Sequence, residues 1–228
     1  MPCDHSIKLE LFKLKRYWLE LVARVGLMTP SPEPHVVAER ELCGLVNGLA
    51  QQIAGHVRER GQLATAAGHY QEALRLLTGP GSLEWEAAAL VGLGFVAELS
   101  ADLNAAEAYH RSAWQAAAQS VTAAAGAAAS ALEGLACAAV ARGDGETAAN
   151  LLGTAARWRR WLHRPALGTE QRDIDRAAAG ARGLLGEHAY RAAYTHGLQP
   201  PPGTVADLQH PIEPRLAAWL REPVQRPI

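Results

Sequence analysis

Apolar residues recur three or four positions apart in the first segment of the chain. These positions are Ile7, Leu11, Leu14, Trp18, Leu21 and Val25. Spacings of three and four place side chains on one face of an α-helix. The pattern therefore predicts an N-terminal amphipathic helix with a basic opposite face, which ends at the proline-rich stretch 29–34.

From His35 to about Trp161, one pattern of apolar and small residues occurs three times, each time on both sides of a turn. The residues before the turn are Ala50, Ile53, Ala54 and Val57, then Leu90, Leu93, Gly94 and Ala97, then Leu132, Leu135, Ala136 and Ala139. The residues after it are Ala66, Tyr70 and Ala73, then Ala106, His110 and Ala113, then Ala148, Leu152 and Ala155. The predicted turns lie at Gly61, Ala101-Asp102 and Gly143-Asp144. Such a repeat predicts stacked helix pairs.

The small and large positions of this repeat have different predicted roles. Small residues such as Gly94 and Ala106 let the two helices of a pair approach closely. Tyr70, His110 and Leu152 are expected to fill the space towards the next pair. The excess of alanine in the chain is thereby explained as a packing requirement of closely spaced helices.

The three copies resemble tetratricopeptide repeats, in which a large–x–x–large–small pattern precedes Ala-x-x-x-aromatic. The repeat is longer than usual, and Ala50, Leu90 and Leu132 stand where the family has a large aromatic residue. Residues 131–153, supported by 184–197, resemble the C-terminal repeat region of large actinobacterial LuxR/SARP-type transcriptional regulators. The resemblance implies a sensor or scaffold region, because the phosphate loop of such regulators is absent from this sequence.

The predicted fold is all-α, an α-solenoid of stacked antiparallel helix pairs. Residues 1–34 form the N-terminal helix and link, and 35–163 form three tetratricopeptide-like pairs. A fourth, atypical pair over 164–199 caps the stack, starting with Thr169 as N-cap and turning at Gly186. The proline-rich tail 200–228 is expected to hold only short helices.

Charge and cysteine usage narrow the expected partners and compartment. The 22 basic and 23 acidic residues nearly cancel, which argues against a nucleic-acid-binding protein. Three widely spaced cysteines and the absence of a signal peptide or membrane span favour the cytoplasm and no membrane partner. The nine histidines lack metal-site spacing, so neither a metal nor a cofactor is expected.

The first helix of each pair lines the concave side of such a stack. In this register the groove-lining residues are Gln51 and Arg58, then Val91, Phe95, Glu98 and Leu99, then Glu133 and Cys137. We expect a protein or peptide partner, held by apolar burial around Phe95 and Leu99 and oriented by the charged positions. A role in bacterial transcriptional or pathway regulation is implied by the resemblance alone.

The sequence is also compatible with several alternatives. The inner face could be solvated without a ligand, or the same groove could bind a small molecule as a sensor. A repurposed enzyme would use Glu98 and Glu133 for acid–base work, or Cys137 as a nucleophile. Nucleic-acid binding would use the basic first helix and the segment 157–164. An exposed apolar end of the stack leaves a homodimer open.

Segment 157–164 is the densest basic and aromatic cluster in the chain. Trp158 and Trp161 lie three residues apart, so they share a helix face. We expect both tryptophans to pack against the fourth pair while the intervening arginines stay in solvent.

Overall fold

The computed structural model describes residues 55, 57, 58, 60–76, 83–118, 125–166, 168–199 and 220. The chain divides into two units, Met1–Leu49 and Ala50–Ile228, and all described residues lie in the second. The predicted N-terminal helix, the tail other than Leu220, and the candidate groove residue Gln51 lie outside the described residues.

The described part of the chain contains seven α-helices and no strand, which confirms the predicted all-α class. The helices are α1 (Leu63–Leu76), α2 (Leu83–Leu99), α3 (Leu103–Ala118), α4 (Ala125–Ala141), α5 (Gly145–Trp161), α6 (Thr169–Leu185) and α7 (Glu187–Leu198). Gly55, Val57 and Arg58, ahead of α1, are also helical. None of these helices is long and apolar enough to cross a membrane.

The three predicted turns have one shared backbone geometry. Gly61, Ala101 and Gly143 adopt φ values of 73°, 64° and 81°. Each turn closes with the same pair of hydrogen bonds to the preceding helix, such as Gly143 N to Val140 O at 2.9 Å and Asp144 N to Ala139 O at 2.9 Å. This is the arrangement of a helix C-terminus capped by a left-handed residue. The repeated turn chemistry therefore produces a repeated structure.

Neighbouring helices pack in chain order from α1 to α6, and alternate helices also meet, because α4 contacts both α2 and α6. The predicted fourth pair differs from this scheme. Helix α7 packs mainly on α5, and it meets α6 at few residues. A Cβ atom at Gly197 would lie 2.1 Å from the carbonyl oxygen of Asn150, so glycine is what allows this close crossing.

Three expectations about helix ends and packing were wrong at particular residues. The N-cap of α6 is Gly168, and Thr169 is the first helical residue. Trp158 packs edge-to-face on Trp114 of α3, with ring centroids 5.6 Å apart, while Trp161 is 42% exposed. Arg159 is buried rather than solvated, because it takes part in the ion-pair network described below, whereas Arg160 is exposed as expected.

The core has the small-residue packing that the repeat predicts. Ala66, Ala106 and Ala148, at equivalent positions of the second helices, are all fully buried. The flat ring of His110 lies against two glycines, Gly94 of its own pair and Gly134 of the next. His110 therefore fills the space between pairs, as expected.

Candidate functional site

A cavity of about 740 Å³ is lined mainly by α2, α4 and α6, together with Gly55 and Arg58 ahead of α1. In the repeat predicted from the sequence, these elements belong to the first helices of the pairs. Its polar lining includes Ser130, Glu133 and Asp173. Its aromatic wall, formed by Tyr70, Trp85 and Phe95, comes from α1 and α2. The cavity thus offers apolar surface and charged groups to one ligand.

Four of the predicted groove residues line this cavity: Arg58, Val91, Phe95 and Glu133. The other described ones are not among its lining residues. Glu98 is bound by an arginine of α6, Cys137 is 2% exposed, and Leu99, the last residue of α2, is 43% exposed.

Arg58 is held by two contacts at the cavity. Its Nη2 donates to Oδ2 of Asp173 at 2.7 Å, across 115 residues of chain. Its guanidinium lies over the ring of Phe95, 4.7 Å from the centroid. Its Nη1 is buried without a hydrogen-bond partner. The side chain is therefore fixed in place, with one donor unused.

Asp173 was not predicted as a site residue, although it joins three parts of the fold. Its second oxygen accepts from Arg176 at 3.2 Å, and Arg176 also donates to Glu98 at 2.6 Å. Its backbone oxygen accepts from the thiol of Cys137 at 3.6 Å. Asp173 lies four and eight residues before the buried Ala177 and Ala181, so the apolar stripe of α6 was the signal that could have identified it.

Arg159 is the second residue that the sequence reasoning missed. It donates to both oxygens of Glu133, at 2.6 and 2.7 Å, and to Ser130 Oγ at 3.1 Å. Its Nη2 also lies 3.2 Å from Glu170 Oε1. Arg159 follows Ala155 by four residues on the buried face of α5, which was the available signal.

Burial changes the acid–base behaviour of this network. It raises the pKa of Glu133 to about 7, although the hydrogen bonds from Arg159 act in the opposite direction. Burial lowers the pKa of Arg159, but its hydrogen bonds to Glu133 outweigh this and raise it above the ordinary value. Glu98 is bound by Arg176 and Glu133 by Arg159, so the two carboxylates do not form the acid–base pair that the sequence left open.

The thiol of Cys137 is unsuited to nucleophilic chemistry. Its burial raises its pKa to about 12, and Arg176 only partly offsets this effect. A thiol with such a pKa is protonated at neutral pH, whereas the thiolate is the reactive form. The arrangement therefore disfavours covalent catalysis by this residue.

His110 and Glu133 give folding stability opposite dependences on pH. Burial, with the charge of Arg58, lowers the pKa of His110 from 6.5 to about 3, so stability falls as pH decreases below 6.5. The raised pKa of Glu133 makes stability fall as pH increases from 4.5 to about 7. We expect His110→Phe to remove the loss of stability on acidification and Glu133→Gln to remove the loss of stability as pH increases. Each group contributes a slope of up to about 1.4 kcal/mol of unfolding free energy per pH unit.

Urea denaturation of the variants across pH 4.5 to 6.5, where both effects act, measures these slopes. Relative to the wild type, acidification should stabilise His110→Phe and destabilise Glu133→Gln. The control is His188→Phe, which changes an exposed histidine of α7 and should keep the wild-type slope. Parallel pH profiles for all four proteins would contradict the assignment.

Comparison with known proteins identifies no relative of this chain. No family model matches the chain, and neither a curated protein nor a solved structure is significantly similar to it.

Proposed function

We propose that the protein is a non-catalytic scaffold, a tetratricopeptide-like α-solenoid, that binds a protein or peptide segment in the cavity beside Arg58 and Phe95. The observation that carries the proposal is that residues of α2, α4 and α6, together with Arg58, line one cavity, and these are the first helices of the predicted pairs. In a solenoid these helices form the concave binding surface. A peptide could therefore contact several repeats at once.

The solenoid itself is supported by contacts that recur between successive pairs. A Cβ atom at Gly92 would lie only 2.2 Å from ring atoms of Tyr70 of α1. His110 of α3 has the same relation to Gly134, at 2.0 Å. Two of the three large residues of the second helices thus meet a glycine in the first helix that follows. Repeated contacts of this kind between neighbours are typical of solenoid proteins.

The chemistry of the lining determines which parts of a partner it would contact. Arg58 is paired with Asp173, and Glu133 is paired with Arg159. Arg58 and Glu133 are therefore less available to a partner than the sequence predicted. Glu170, with a side chain 45% exposed, is the most open carboxylate of the network. A partly apolar segment with a basic residue therefore suits the aromatic wall and Glu170 together.

A regulatory role is proposed on the resemblance of residues 131–153 to the repeat regions of bacterial regulators. In such an arrangement the repeats would recognise a regulatory partner in the cytoplasm.

Blocking the cavity should abolish peptide binding. Ala127 of α4 lines the cavity and is partly buried, so Ala127→Arg places a long charged side chain inside it. We expect peptides selected by display on the wild-type chain to bind this variant at least about 10-fold more weakly, because the bulky group excludes them. Fluorescence anisotropy with the selected peptides measures the change.

The matched control is Ala179→Arg, which makes the same substitution at an exposed position of α6. It should bind the selected peptides as the wild type does. Failure to enrich any peptide, or equal binding by Ala127→Arg, would show that the cavity is not a peptide site.

A small-molecule sensor is the second candidate, and the cavity volume favours it. About 740 Å³ lies within the usual range of about 300–1,000 Å³ for small-molecule sites. A sensor of this kind would gain thermal stability from a compound in a metabolite library, and Ala127→Arg would lose that gain. Peptide enrichment without any such compound would decide against this candidate.

A further inference from the structure

The unused donor of Arg58 indicates what kind of group the cavity binds. Arg58 lines the cavity, its side chain is 6% exposed, and its Nη1 is buried without a hydrogen-bond partner. A buried N–H group that lacks an acceptor destabilises the protein, and a bound acceptor removes that cost. The observation therefore points to a ligand oxygen at this position.

The charges around Arg58 select an uncharged oxygen. Asp173 already pairs with Arg58 through Nη2 at 2.7 Å. Among the described lining residues, the carboxylates outnumber the guanidinium groups; the carboxylates are Glu84, Glu133, Glu170 and Asp173, and the arginines are Arg58, Arg159 and Arg164. Another carboxylate would add negative charge beside Asp173, and like charges in a poorly solvated site repel strongly. A carbonyl oxygen accepts the same hydrogen bond without this repulsion.

The surface next to Arg58 is aromatic. Phe95 lies under the guanidinium, and Tyr70 and Trp85 line the same cavity. An aromatic or aliphatic side chain can be buried against these rings when a neighbouring carbonyl reaches Arg58. Main-chain carbonyls flanked by apolar side chains are the repeating unit of an apolar peptide.

We propose that Arg58 Nη1 is the anchor for a main-chain carbonyl of an apolar peptide segment, an inference that rests on the proposed peptide-binding function. The ion pair with Asp173 holds the guanidinium in place, and Phe95 shields it from water. Arg58 then recognises the peptide backbone, while the aromatic wall binds the adjacent side chain.

The test uses the full chain and two fluorinated probes, N-acetyl-4-fluorophenylalanine N-methylamide and the corresponding free acid. Binding is followed by fluorine NMR titration. The uncharged amide should bind the wild type about 10-fold more tightly than the acid, because only the acid adds charge beside Asp173. Tighter binding of the acid, or no binding of the amide, would overturn the inference.

Arg58→Lys separates the anchor from the ion pair. Lysine keeps a positive charge for Asp173 but lacks the second guanidinium nitrogen. We expect it to weaken amide binding about 10-fold, whereas Ala127→Arg should abolish binding. Unchanged binding by Arg58→Lys would overturn the anchor and leave the peptide groove intact. Unchanged binding by Ala127→Arg would overturn the groove itself.

A measurement on the wild type keeps the test valid even where Arg58→Lys fails to fold. Nuclear Overhauser effects should connect the probe to the ring protons of Phe95, the residue beneath Arg58. Their presence supports the anchor position. Contacts from a bound probe to other residues, without Phe95, would overturn it.

Discussion

Arg159→Ala is expected to lower the free energy of unfolding by about 3–5 kcal/mol near pH 8, because it leaves a buried carboxylate without its partner. Glu133 is 2% exposed, and Arg159 donates to both of its oxygens. Removal of the guanidinium also deprives Ser130 and Glu170 of a donor. Urea denaturation of the variant and the wild type measures the loss.

The penalty should decrease at lower pH, and this dependence distinguishes an uncompensated charge from lost packing. Burial already raises the pKa of Glu133 to about 7, and loss of Arg159 removes an interaction that lowers it. Glu133 therefore becomes protonated and neutral on mild acidification. A penalty that stays constant between about pH 8 and about pH 5.5 would contradict this explanation.

Two comparisons complete this test. The double variant Glu133→Leu and Arg159→Met should recover most of the lost stability, since an apolar pair of similar size needs no charge compensation. Arg191→Ala breaks the exposed ion pair with Glu187 on α7 and should cost less than about 1 kcal/mol. Equal losses for Arg159→Ala and Arg191→Ala would show that the buried pair contributes no more than a surface one.

The helix order and the three repeated turns could be predicted because both depend on short-range sequence. Helical spacing identifies the apolar face of each segment. Gly61 and Gly143 permit a left-handed backbone, and Asp102 and Asp144 accept hydrogen bonds from the first turns of the next helices. His110 could likewise be placed between pairs from its position in the repeat.

The ion-pair network could not be predicted, because its partners are brought together by packing of distant helices. Arg58 and Asp173 are 115 residues apart, and a chain with 22 basic and 23 acidic residues offers many other pairings. The helix register predicted from the repeat also placed Cys137 among the groove-lining residues. In the structure α6 lies against that part of α4, and the backbone of Asp173 receives the thiol.

The position of α7 could not be predicted from the repeat, for the same reason. Two adjacent helices joined at Gly186 predict a pair, but the contact that decides their arrangement lies between Gly153 and Gly197. A Cβ atom at Gly153 would lie 2.1 Å from the carbonyl oxygen of Tyr194. Complementary glycines on distant helices are recognisable only once the helices have been placed together.

Gly134→Ala is expected to lower the free energy of unfolding by about 3 kcal/mol, because the new methyl group has no space. Its Cβ atom would lie 2.0 Å from Cε1 of His110. The ring also lies against Gly94, where an added Cβ atom would be 2.5 Å from it, so a shift of the ring would disturb a second close contact. For a chain of this size the melting temperature should fall by about 10 °C, which calorimetry can measure.

Gly183→Ala provides the matched control, because this helical glycine of α6 has no atom within 4 Å of an added Cβ. Alanine should stabilise the protein there by about 0.5–1 kcal/mol through its higher helix propensity. His110→Ala should relieve the clash, so its effect in the Gly134→Ala background should be much less damaging than in the wild type. Strictly additive effects of the two changes would mean that the ring and the glycine are not in contact. Coupling between them would establish that the repeat encodes its helix spacing through a large residue placed opposite a glycine.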